Sequence, residues 1–366
     1  MTDHPPLDHL QRIDLPRVDD PRDVVHQVVA ALAQGEPVFL RSADVSGIVA
    51  SALGANATSP EAAGVPILLL RGASEVSDWV SSGRVGARLA NRAWPGPVAL
   101  AFPTHDDGSL LSRLPERTRN MLVADGAITL QIPDDAFTRD VLRFVPCPLL
   151  LWERLGPDST LEEQLLELGV RLLIDADGSA THEASTIVRI DGESWRIVRE
   201  GVVGKRELTR MAGTIFLFVC TGNTCRSPMA EALCKVLLAE RLGCPIADLE
   251  SKGFLVLSAG IAATSGMPAA ANAMDVVQAR GGSLHGHQSR RLSHDLARHA
   301  DHILAMTGDH LEALRDHVPE ASGKARLLHP LEEDVPDPFG ADRATYERTA
   351  SAIESYLKQM LDAIPL

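Results

Sequence analysis

Residues 214–228 read TIFLFVCTGNTCRSP, and this stretch decides the fold of the C-terminal part of the chain. It starts with a continuous apolar run from Thr214 to Val219, which is typical of a parallel strand covered on both faces. After the loop, apolar residues recur at the spacing of an amphipathic helix, with Ser227 suited to the N-cap and Pro228 to the first helical position. The predicted unit is a strand, a loop and a helix.

Cys220 and Arg226 frame the loop. Backbone N–H groups of such a loop can converge on one anion, and the following helix adds its positive N-terminal end. That field favours a thiolate, and an arginine fork can hold two phosphate oxygens. Cys220 is therefore predicted to be a nucleophile that attacks a phosphate group held by Arg226. We expect Ser227 to donate to the sulfur, Asn223 to brace the loop and Gly222 to supply a backbone angle that a side chain would obstruct. The residues predicted to bind the phosphate or shape its loop are Thr221, Gly222, Asn223, Thr224, Cys225 and Ser227.

A second loop, Val335 to Gly340, can supply an acid. Dephosphorylation needs a group that protonates the leaving atom, and a carboxylate on a loop is the usual donor. Asp337 lies between two prolines, which exclude helix and stiffen the turn. Asp337 is therefore the candidate general acid.

Together these motifs resemble the low-molecular-weight protein tyrosine phosphatase family. The resemblance covers residues 213–366 and includes Ser258-Ala-Gly260, Ala305-Met306 and Asp337-Pro-Phe-Gly340 besides the cysteine loop. It implies an α/β domain with a doubly wound, four-stranded parallel sheet and flanking helices. It also implies a phosphocysteine intermediate that water hydrolyses, with no metal or other cofactor.

The same resemblance assigns roles to single residues. Cys220, Arg226 and Asp337 take the family's nucleophile, phosphate-binding and general-acid positions, and Phe339 joins the substrate-binding residues. The implied partner is a phosphorylated protein.

Within that family the sequence resembles bacterial protein arginine phosphatases more than tyrosine phosphatases. Thr224 stands where tyrosine phosphatases tend to carry an aliphatic residue, and Asp337-Pro-Phe-Gly340 lacks the paired tyrosines that often line a phenol pocket. The Thr224 hydroxyl can meet a guanidinium N–H, and Glu332, Glu333 or Asp334 can add acceptors for the cation. The alternative is that Thr224 only packs, and that the enzyme is a tyrosine phosphatase.

The five cysteines suggest two further hypotheses, a redox relay and a protective disulfide. Arsenate reductases share this loop but need more cysteines downstream of the first helix region, and none follows Cys244. Cys225 is either a partner for a protective disulfide with Cys220 or a small buried residue. The irregular spacing of the cysteines predicts no structural disulfide framework.

Four histidines could suggest a metal site. Their spacing matches neither a zinc finger nor a His-Glu-x-x-His motif, so the sequence predicts scattered surface histidines instead. They are His285, His287, His299 and His302.

The N-terminal part alternates short apolar runs with helix-like segments, which predicts a mixed α/β domain. The predicted strands are 37–40, 65–70, 128–132 and 185–190, and the predicted helices are 23–33 and 161–168. Residues 89–103, 130–134, 185–189 and 197–201 resemble the threonylcarbamoyl-adenylate synthase (YrdC-like) family, over about 20–205. That family has a twisted mixed sheet and binds ATP, threonine and bicarbonate in the service of a tRNA modification.

The N-terminal departures from that family fall at its binding site. Of the usual Lys-x-Arg pair only Arg71 remains, and 148–154 replaces the family's Ser-x-Asn segment. We therefore expect a noncatalytic or repurposed domain. Two alternatives stay open: the domain binds nucleotide or tRNA, or the protein is bifunctional. The candidate remnants of an anion-binding surface are Arg71, Ser185, Thr186 and Arg199.

Chain length, net charge and hydropathy limit the number of domains and the classes of partner. The chain has 366 residues, which suit two domains, and the formal net charge of -14 disfavours nonspecific binding to nucleic acid or an anionic bilayer. No apolar run is long enough to span a bilayer, so we expect a cytoplasmic protein. The predicted boundaries are 1–205 for the YrdC-like domain, 206–213 for a linker and 214–366 for the phosphatase domain.

Overall fold

Two compact units make up the chain, Met1–Met211 and Ala212–Leu366. Each has its own sheet, with ten strands in the first unit and four in the second. The predicted α/β class is therefore confirmed for both parts. The computed structural model describes residues 9–54, 64–104, 108–153, 161–176 and 184–364.

The N-terminal sheet mixes parallel and antiparallel pairs. Its ten strands are β1 Gln11–Asp14, β2 Val38–Arg41, β3 Ser46–Ser51, β4 Ile67–Leu69, β5 Val98–Pro103, β6 Ala127–Gln131, β7 Leu149–Glu153, β8 Leu172–Asp175, β9 Thr186–Asp191 and β10 Ser194–Arg199. Their spatial order is β1-β8-β2-β3-β7-β4-β6-β5-β9-β10. The predicted strands at 37–40, 65–70, 128–132 and 185–190 overlap β2, β4, β6 and β9.

Helices pack on this sheet through buried apolar side chains. Val28 and Leu32 of the first helix and Val141 of the fifth belong to one buried cluster with the strands. The segment 206–213, predicted as a linker, coincides with the last helix of the unit. The helices are α1 Pro21–Ala33, α2 Val76–Trp79, α3 Gly83–Ala93, α4 Glu116–Leu122, α5 Ala136–Phe144, α6 Leu161–Glu167 and α7 Lys205–Ala212.

The C-terminal sheet is wholly parallel, with the order β12-β11-β13-β14. This confirms the four-stranded parallel core. Its strands are β11 Thr214–Cys220, β12 Phe254–Gly260, β13 His302–Ala305 and β14 Ala325–Leu327. Its helices are α8 Arg226–Leu242, α9 Ala271–Gln278, α10 His294–His299, α11 Gly308–His317 and α12 Arg343–Asp362.

Strand β11 is buried along its whole length, as the apolar run predicted. Phe216 and Phe218 face one cluster that includes residues of α8, α9 and α12. Ile215 and Leu217 face the other, with residues of α10 and α11. Alternate side chains of a strand point to opposite faces, so a run that is apolar at every position suits a sheet covered on both sides.

The strand order places the cysteine loop at a topological switch point. The chain runs from β11 to β12 on one side and then to β13 on the other, so a crevice opens beyond the carboxyl end of β11. Ligands of doubly wound sheets bind in such crevices. Cys220 is the last residue of β11, and the loop that follows it lines this crevice.

Candidate active site

Cys220 is buried at the end of β11, with two polar groups close to its sulfur. Ser227 Oγ lies 2.9 Å from Cys220 Sγ, and the backbone N–H of Asn223 donates to the sulfur over 3.3 Å. A thiolate accepts both hydrogen bonds, because it carries no proton of its own. The expected contact between Ser227 and the sulfur is therefore present.

The start of α8 differs from the prediction. The helix begins at Arg226, its N-cap is Cys225, and no side chain caps it. The expected N-cap role of Ser227 is wrong, because its hydroxyl lies against Cys220 and accepts from Asn223 instead.

Asn223 braces the loop through both ends of its amide. Its side-chain NH2 donates to Ser227 Oγ and Ser258 Oγ, each at 2.9 Å, and its Oδ1 accepts from the backbone N–H of Arg290 at 2.9 Å. Asn223 has φ +56°, a left-handed conformation that asparagine tolerates better than most residues. The expected special backbone angle thus belongs to Asn223 and not to Gly222, which is outside the positive-φ residues and would meet only Thr224 Oγ1, at 3.7 Å, with an added Cβ.

A buried carboxylate extends this network. Ser258 Oγ donates to Glu231 Oε2 over 2.6 Å, and Glu231 also pairs with Lys235. His287 Nε2 lies 2.9 Å from the Asn223 carbonyl oxygen. The sequence analysis did not identify Glu231, although an acidic residue one helical turn after Ser227, in the apolar start of α8, was a usable signal.

Arg226 and Asp337 form an ion pair across the site. The Arg226 guanidinium is buried, and it donates to Asp337 Oδ2 over 2.7 Å and to the Val335 carbonyl over 3.2 Å. The Asp337 side chain is half exposed, and its other oxygen accepts from the backbone N–H of Phe339. The structure therefore brings the predicted phosphate-binding arginine and the predicted acid into direct contact.

Thr221 reaches a histidine that the sequence analysis did not name. His310 Nε2 lies 2.8 Å from Thr221 Oγ1, and His310 Nδ1 lies 2.7 Å from Thr307 Oγ1. Burial, followed by the nearby Arg226 guanidinium, lowers the pKa of His310 below its ordinary value of 6.5. His310 is in the first turn of α11, directly after β13, so its place after a second strand of the same sheet was the signal.

Thr224 and Cys225 lie on the other side of the loop. Thr224 is half buried, with its hydroxyl 3.7 Å from Cys225 Sγ. The Cys225 sulfur lies 3.1 Å from the Tyr346 hydroxyl, and burial raises the pKa of Tyr346 well above its ordinary value. Phe339 is 77% exposed at the rim. The site thus has a hydroxyl and one exposed ring near its opening.

Comparison with known proteins agrees with this geometry. The model of the low molecular weight phosphotyrosine protein phosphatase family matches residues 215–365. The low molecular weight protein-tyrosine-phosphatase Etp of Escherichia coli strain K12 is 36% identical over 140 residues, which are 38% of this chain and 86% of that protein. The chain belongs to this family. The C-terminal unit is therefore a phosphatase of the low molecular weight family.

Relatives with a different substrate in their names are similarly close. The protein-arginine-phosphatase of Geobacillus stearothermophilus is 32% identical over 152 residues, which are 40% of this chain and 94% of that protein. A crystal structure of a YwlE mutant from Bacillus subtilis has 34% identity and a TM-score of 0.37, and it covers 41% of this chain and 97% of its own. The relatives that match the C-terminal unit are thus named as tyrosine phosphatases or as arginine phosphatases, and sequence identity does not separate the two groups.

In the N-terminal unit, two of the four candidate anion-binding residues lie together. Arg199 pairs with Glu153 and donates to the Ser185 carbonyl, and the Ser185 backbone N–H donates to Glu153 over 3.1 Å. Burial lowers the pKa of Arg199. Gln131 donates to Ser185 Oγ over 3.2 Å. Arg199 thus faces a carboxylate within its own unit.

The other two candidates have different partners. The Thr186 hydroxyl exchanges hydrogen bonds with the backbone of Val203, at 2.9 and 3.0 Å. Arg71 donates to the Val145 carbonyl over 3.2 Å and lies 3.8 Å from Glu75. The Thr186 hydroxyl is therefore hydrogen-bonded to the backbone. Arg71 contacts groups other than Arg199 and Glu153.

Of the four histidines, only His285 is exposed, whereas His287, His299 and His302 are half buried, so the expectation of scattered surface histidines is wrong for three of them. His287 is half buried against the Asn223 carbonyl, and the ring of His302 stacks on Phe216 with the ring centroids 5.0 Å apart. Within the described ranges, no group of three His, Cys, Asp or Glu side chains could hold a metal ion. None of the helices that the structure describes is long and apolar enough to cross a membrane.

Proposed function

We propose that the C-terminal unit removes phosphate from phosphoarginine in proteins. The observation that carries this proposal is the Thr224 hydroxyl. Thr224 lies in the loop between Cys220 and Arg226, which we call the phosphate loop. Its side chain is half buried, and its hydrogen-bond contact among the described residues is a long one, with Cys225 Sγ at 3.7 Å. A hydroxyl in this position can accept from a guanidinium N–H that a phenol ring does not offer.

The first chemical step uses the pair of Arg226 and Asp337. A bound phosphate competes for the Arg226 fork and so releases Asp337, whose half-exposed side chain can then reach the leaving group. The Cys220 thiolate attacks phosphorus, so that an S–P bond forms and the P–N bond to the guanidinium breaks. Asp337, once released from Arg226, takes up a proton from solvent, and its carboxyl then gives this proton to the leaving nitrogen.

The second step returns the enzyme to its starting state. Water attacks the phosphocysteine, and the Asp337 carboxylate accepts a proton from this water. The S–P bond breaks, inorganic phosphate leaves, and Cys220 is again a thiolate with Ser227 and the Asn223 N–H close to it. The two donors that hold the thiolate also stabilise it as a leaving group in this step.

The acidic residues before the Asp337 turn support a cationic substrate. Glu332, Glu333 and Asp334 are exposed and precede the Asp337 turn directly. Their negative charge favours a guanidinium over a neutral phenol near the opening.

A tyrosine phosphatase is the second candidate, and Phe339 favours it. The Phe339 ring is 77% exposed at the rim of the site and can pack against the ring of a phosphotyrosine. Relatives named as tyrosine phosphatases are as similar as those named as arginine phosphatases.

Three variants of Thr224 distinguish the two substrates. Thr224→Val removes the hydroxyl and keeps the shape, Thr224→Ile also adds bulk, and Thr224→Ser keeps the hydroxyl. We expect the ratio of kcat/KM for phosphoarginine over phosphotyrosine to fall about tenfold in the Val variant and about ten- to a hundredfold in the Ile variant. The Ser variant should stay near the parent ratio. An unchanged ratio in both the Val and Ile variants would contradict arginine specificity while leaving the cysteine chemistry intact.

For the N-terminal unit we propose a YrdC-like accessory domain, at 1–205, that no longer makes threonylcarbamoyl-adenylate. The sequence resemblance supports the family, and the missing Lys partner of Arg71 and the missing Ser-x-Asn segment support the loss of catalysis. The internal pairing of Arg199 with Glu153 adds to this, because a neutralised arginine attracts a triphosphate less.

A direct product assay tests the N-terminal proposal. The full chain is incubated with ATP, threonine and bicarbonate, and the products are analysed by mass spectrometry. We expect no threonylcarbamoyl-adenylate and no threonine-dependent pyrophosphate release. Detection of the adenylate would favour the bifunctional alternative instead.

A further inference from the structure

His310 connects the start of the phosphate loop to the start of a helix on another strand. Its ring contacts Thr221 Oγ1 through Nε2 at 2.8 Å and Thr307 Oγ1 through Nδ1 at 2.7 Å. Thr221 directly follows Cys220, and Thr307 is the N-cap of α11. Both ring nitrogens are therefore engaged by hydroxyl groups, which fixes the orientation of the ring.

The protonation state of His310 follows from its surroundings. The residue is 6% exposed, and Arg226 is the cation that faces it, while Asp309, Asp334 and Asp337 face it as carboxylates. Burial and Arg226 outweigh these carboxylates and lower the pKa of His310, so the ring is neutral at neutral pH.

A neutral ring accepts through one nitrogen and donates through the other. Thr307 Oγ1 also accepts from the His310 backbone N–H over 3.4 Å. Because each threonine hydroxyl can donate or accept, either tautomer of the neutral ring pairs both ring nitrogens.

The two halves of the phosphate loop are held in different ways. Around Asn223, four hydrogen bonds to the side chain and the carbonyl brace the loop. Before Gly222, the Thr221 carbonyl accepts from Ala262 N–H over 3.0 Å, and the Thr221 side chain has the His310 ring. Gly222 lies between the two halves, and a glycine gives the backbone conformational freedom. The hydrogen bonds of the second half therefore do not fix the position of the first half.

We propose that His310 is a positioning residue for the phosphatase reaction: it holds Thr221 so that the first half of the loop keeps the shape that binds the transferring phosphate. The backbone N–H groups of the loop must point at charge that develops in the transition state, and a loop that moves loses that stabilisation. His310 touches neither phosphate nor sulfur in this role. The proposal rests on the phosphatase family of the chain and not on arginine specificity.

Two amide side chains separate the two contacts of the ring. Glutamine at this position can place a polar atom where Nε2 stands and so reach Thr221. Asparagine can match only Nδ1 and so retains Thr307 and the start of α11. With p-nitrophenyl phosphate, we expect His310→Gln to stay within about threefold of the parent kcat, and His310→Asn to lose about ten- to a hundredfold in kcat with little change in KM.

A double-mutant cycle decides whether His310 acts through Thr221. Thr221→Val should lower kcat by a similar factor in the parent and have no further effect in His310→Asn. His317→Asn, on an exposed position of the same helix, is the matched control and should keep the parent kcat. Thermal unfolding of every variant checks that the fold is retained.

Each outcome of these measurements either supports the proposal or contradicts it. A loss in His310→Asn that is recovered in His310→Gln and coupled to Thr221 supports it. If Thr221→Val lowers kcat by the same factor in both backgrounds, His310 does not act through Thr221 and the proposal is wrong. If the Asn and Gln variants both fail to fold, or both keep full activity, the residue serves only the fold or nothing, and the proposal is equally wrong.

Discussion

Each unit pairs an arginine with a carboxylate, and the two pairs differ in which partner is buried. In the C-terminal pair the Arg226 side chain is 6% exposed and that of Asp337 is 50% exposed. In the N-terminal pair the Glu153 side chain is 2% exposed and that of Arg199 is 27% exposed. An exposed carboxylate can give way to a phosphate at little cost, whereas a buried one cannot return to water.

The exposure of the carboxylate partner determines whether an arginine near a possible anion site is available to a ligand. Arg226 is buried among groups that converge on one crevice, and its partner can be exchanged for a substrate. The charge of Arg199 is neutralised by the Glu153 carboxylate, which stays in place. Arg199 therefore contributes to the stability of the fold and not to anion binding. The sequence alone does not show which carboxylate each arginine faces or which partner of each pair is buried.

The largest effect should come from the cysteine. We expect Cys220→Ser to lower the phosphatase kcat by more than roughly a thousandfold without loss of the fold, because a serine hydroxyl is a far weaker nucleophile than a thiolate. Cys244→Ser, at a half-buried position outside the loop, should keep the parent activity. Steady-state turnover of p-nitrophenyl phosphate checks both, and appreciable turnover in Cys220→Ser would contradict the mechanism.

The second effect concerns the buried arginine of the C-terminal pair. Arg226→Lys keeps the charge but loses the planar fork, so kcat should fall by about a hundredfold. Arg241→Lys is the matched control on the same helix, since its partner Asp362 is exposed. Equal activities of the two variants would mean that Arg226 does not grip the phosphate.

The third effect tests the N-terminal pair. Glu153→Gln leaves the Arg199 charge half buried without a counter-charge, so we expect the free energy of unfolding to fall by about 1–3 kcal/mol with unchanged phosphatase activity. Glu193→Gln breaks the exposed pair with Arg84 and should cost less than about 0.5 kcal/mol. Denaturant unfolding compares them, and equal costs would remove the contrast between the two units.

The smallest effect is a pH dependence that His310 imposes on stability. Its pKa is lower in the folded chain than the ordinary 6.5 of an unfolded one, so the unfolded state binds the proton more readily. This contribution to stability is present above pH 6.5 and is lost as the pH falls through the lowered pKa. His310→Gln should therefore show a flatter fall in the free energy of unfolding between pH 7.5 and the acid range, as measured by denaturant titration. Identical slopes for parent and variant would contradict the assigned neutral ring.

The elements that the sequence predicted are those encoded by local pattern. The run from Thr214 to Val219 specified a strand buried on both faces, and the α8 periodicity specified its helix. Strands β1 and β3 were not predicted, since β1 carries charged residues and β3 is rich in small ones. The position of β1 depends on its pairing with β8, and that of β3 on its pairing with β2 and β7. No local sequence pattern encodes these pairings.

The site was predictable where a short local motif contains the residue, as in the cysteine loop and the Asp337 turn, and less so where only the fold brings a residue to the loop. Cys220 and Arg226 follow from their spacing in the chain, whereas His310, Glu231 and Ser258 reach the loop only through the parallel sheet and α8. Ser227 shows the limit of a local rule: it has the composition of an N-cap, and a sulfur seven positions earlier changes its role. Hydrogen-bond competition of this kind is a property of the folded site.

The ratio of kcat/KM for phosphoarginine over phosphotyrosine, measured on the parent chain with peptides of one sequence, tests the account most directly. Cys220→Ser provides the background for both substrates. We predict a ratio clearly above one, because the Thr224 hydroxyl and the carboxylates before Asp337 suit a guanidinium. A ratio below one would contradict the arginine assignment and leave a tyrosine phosphatase with the same nucleophile.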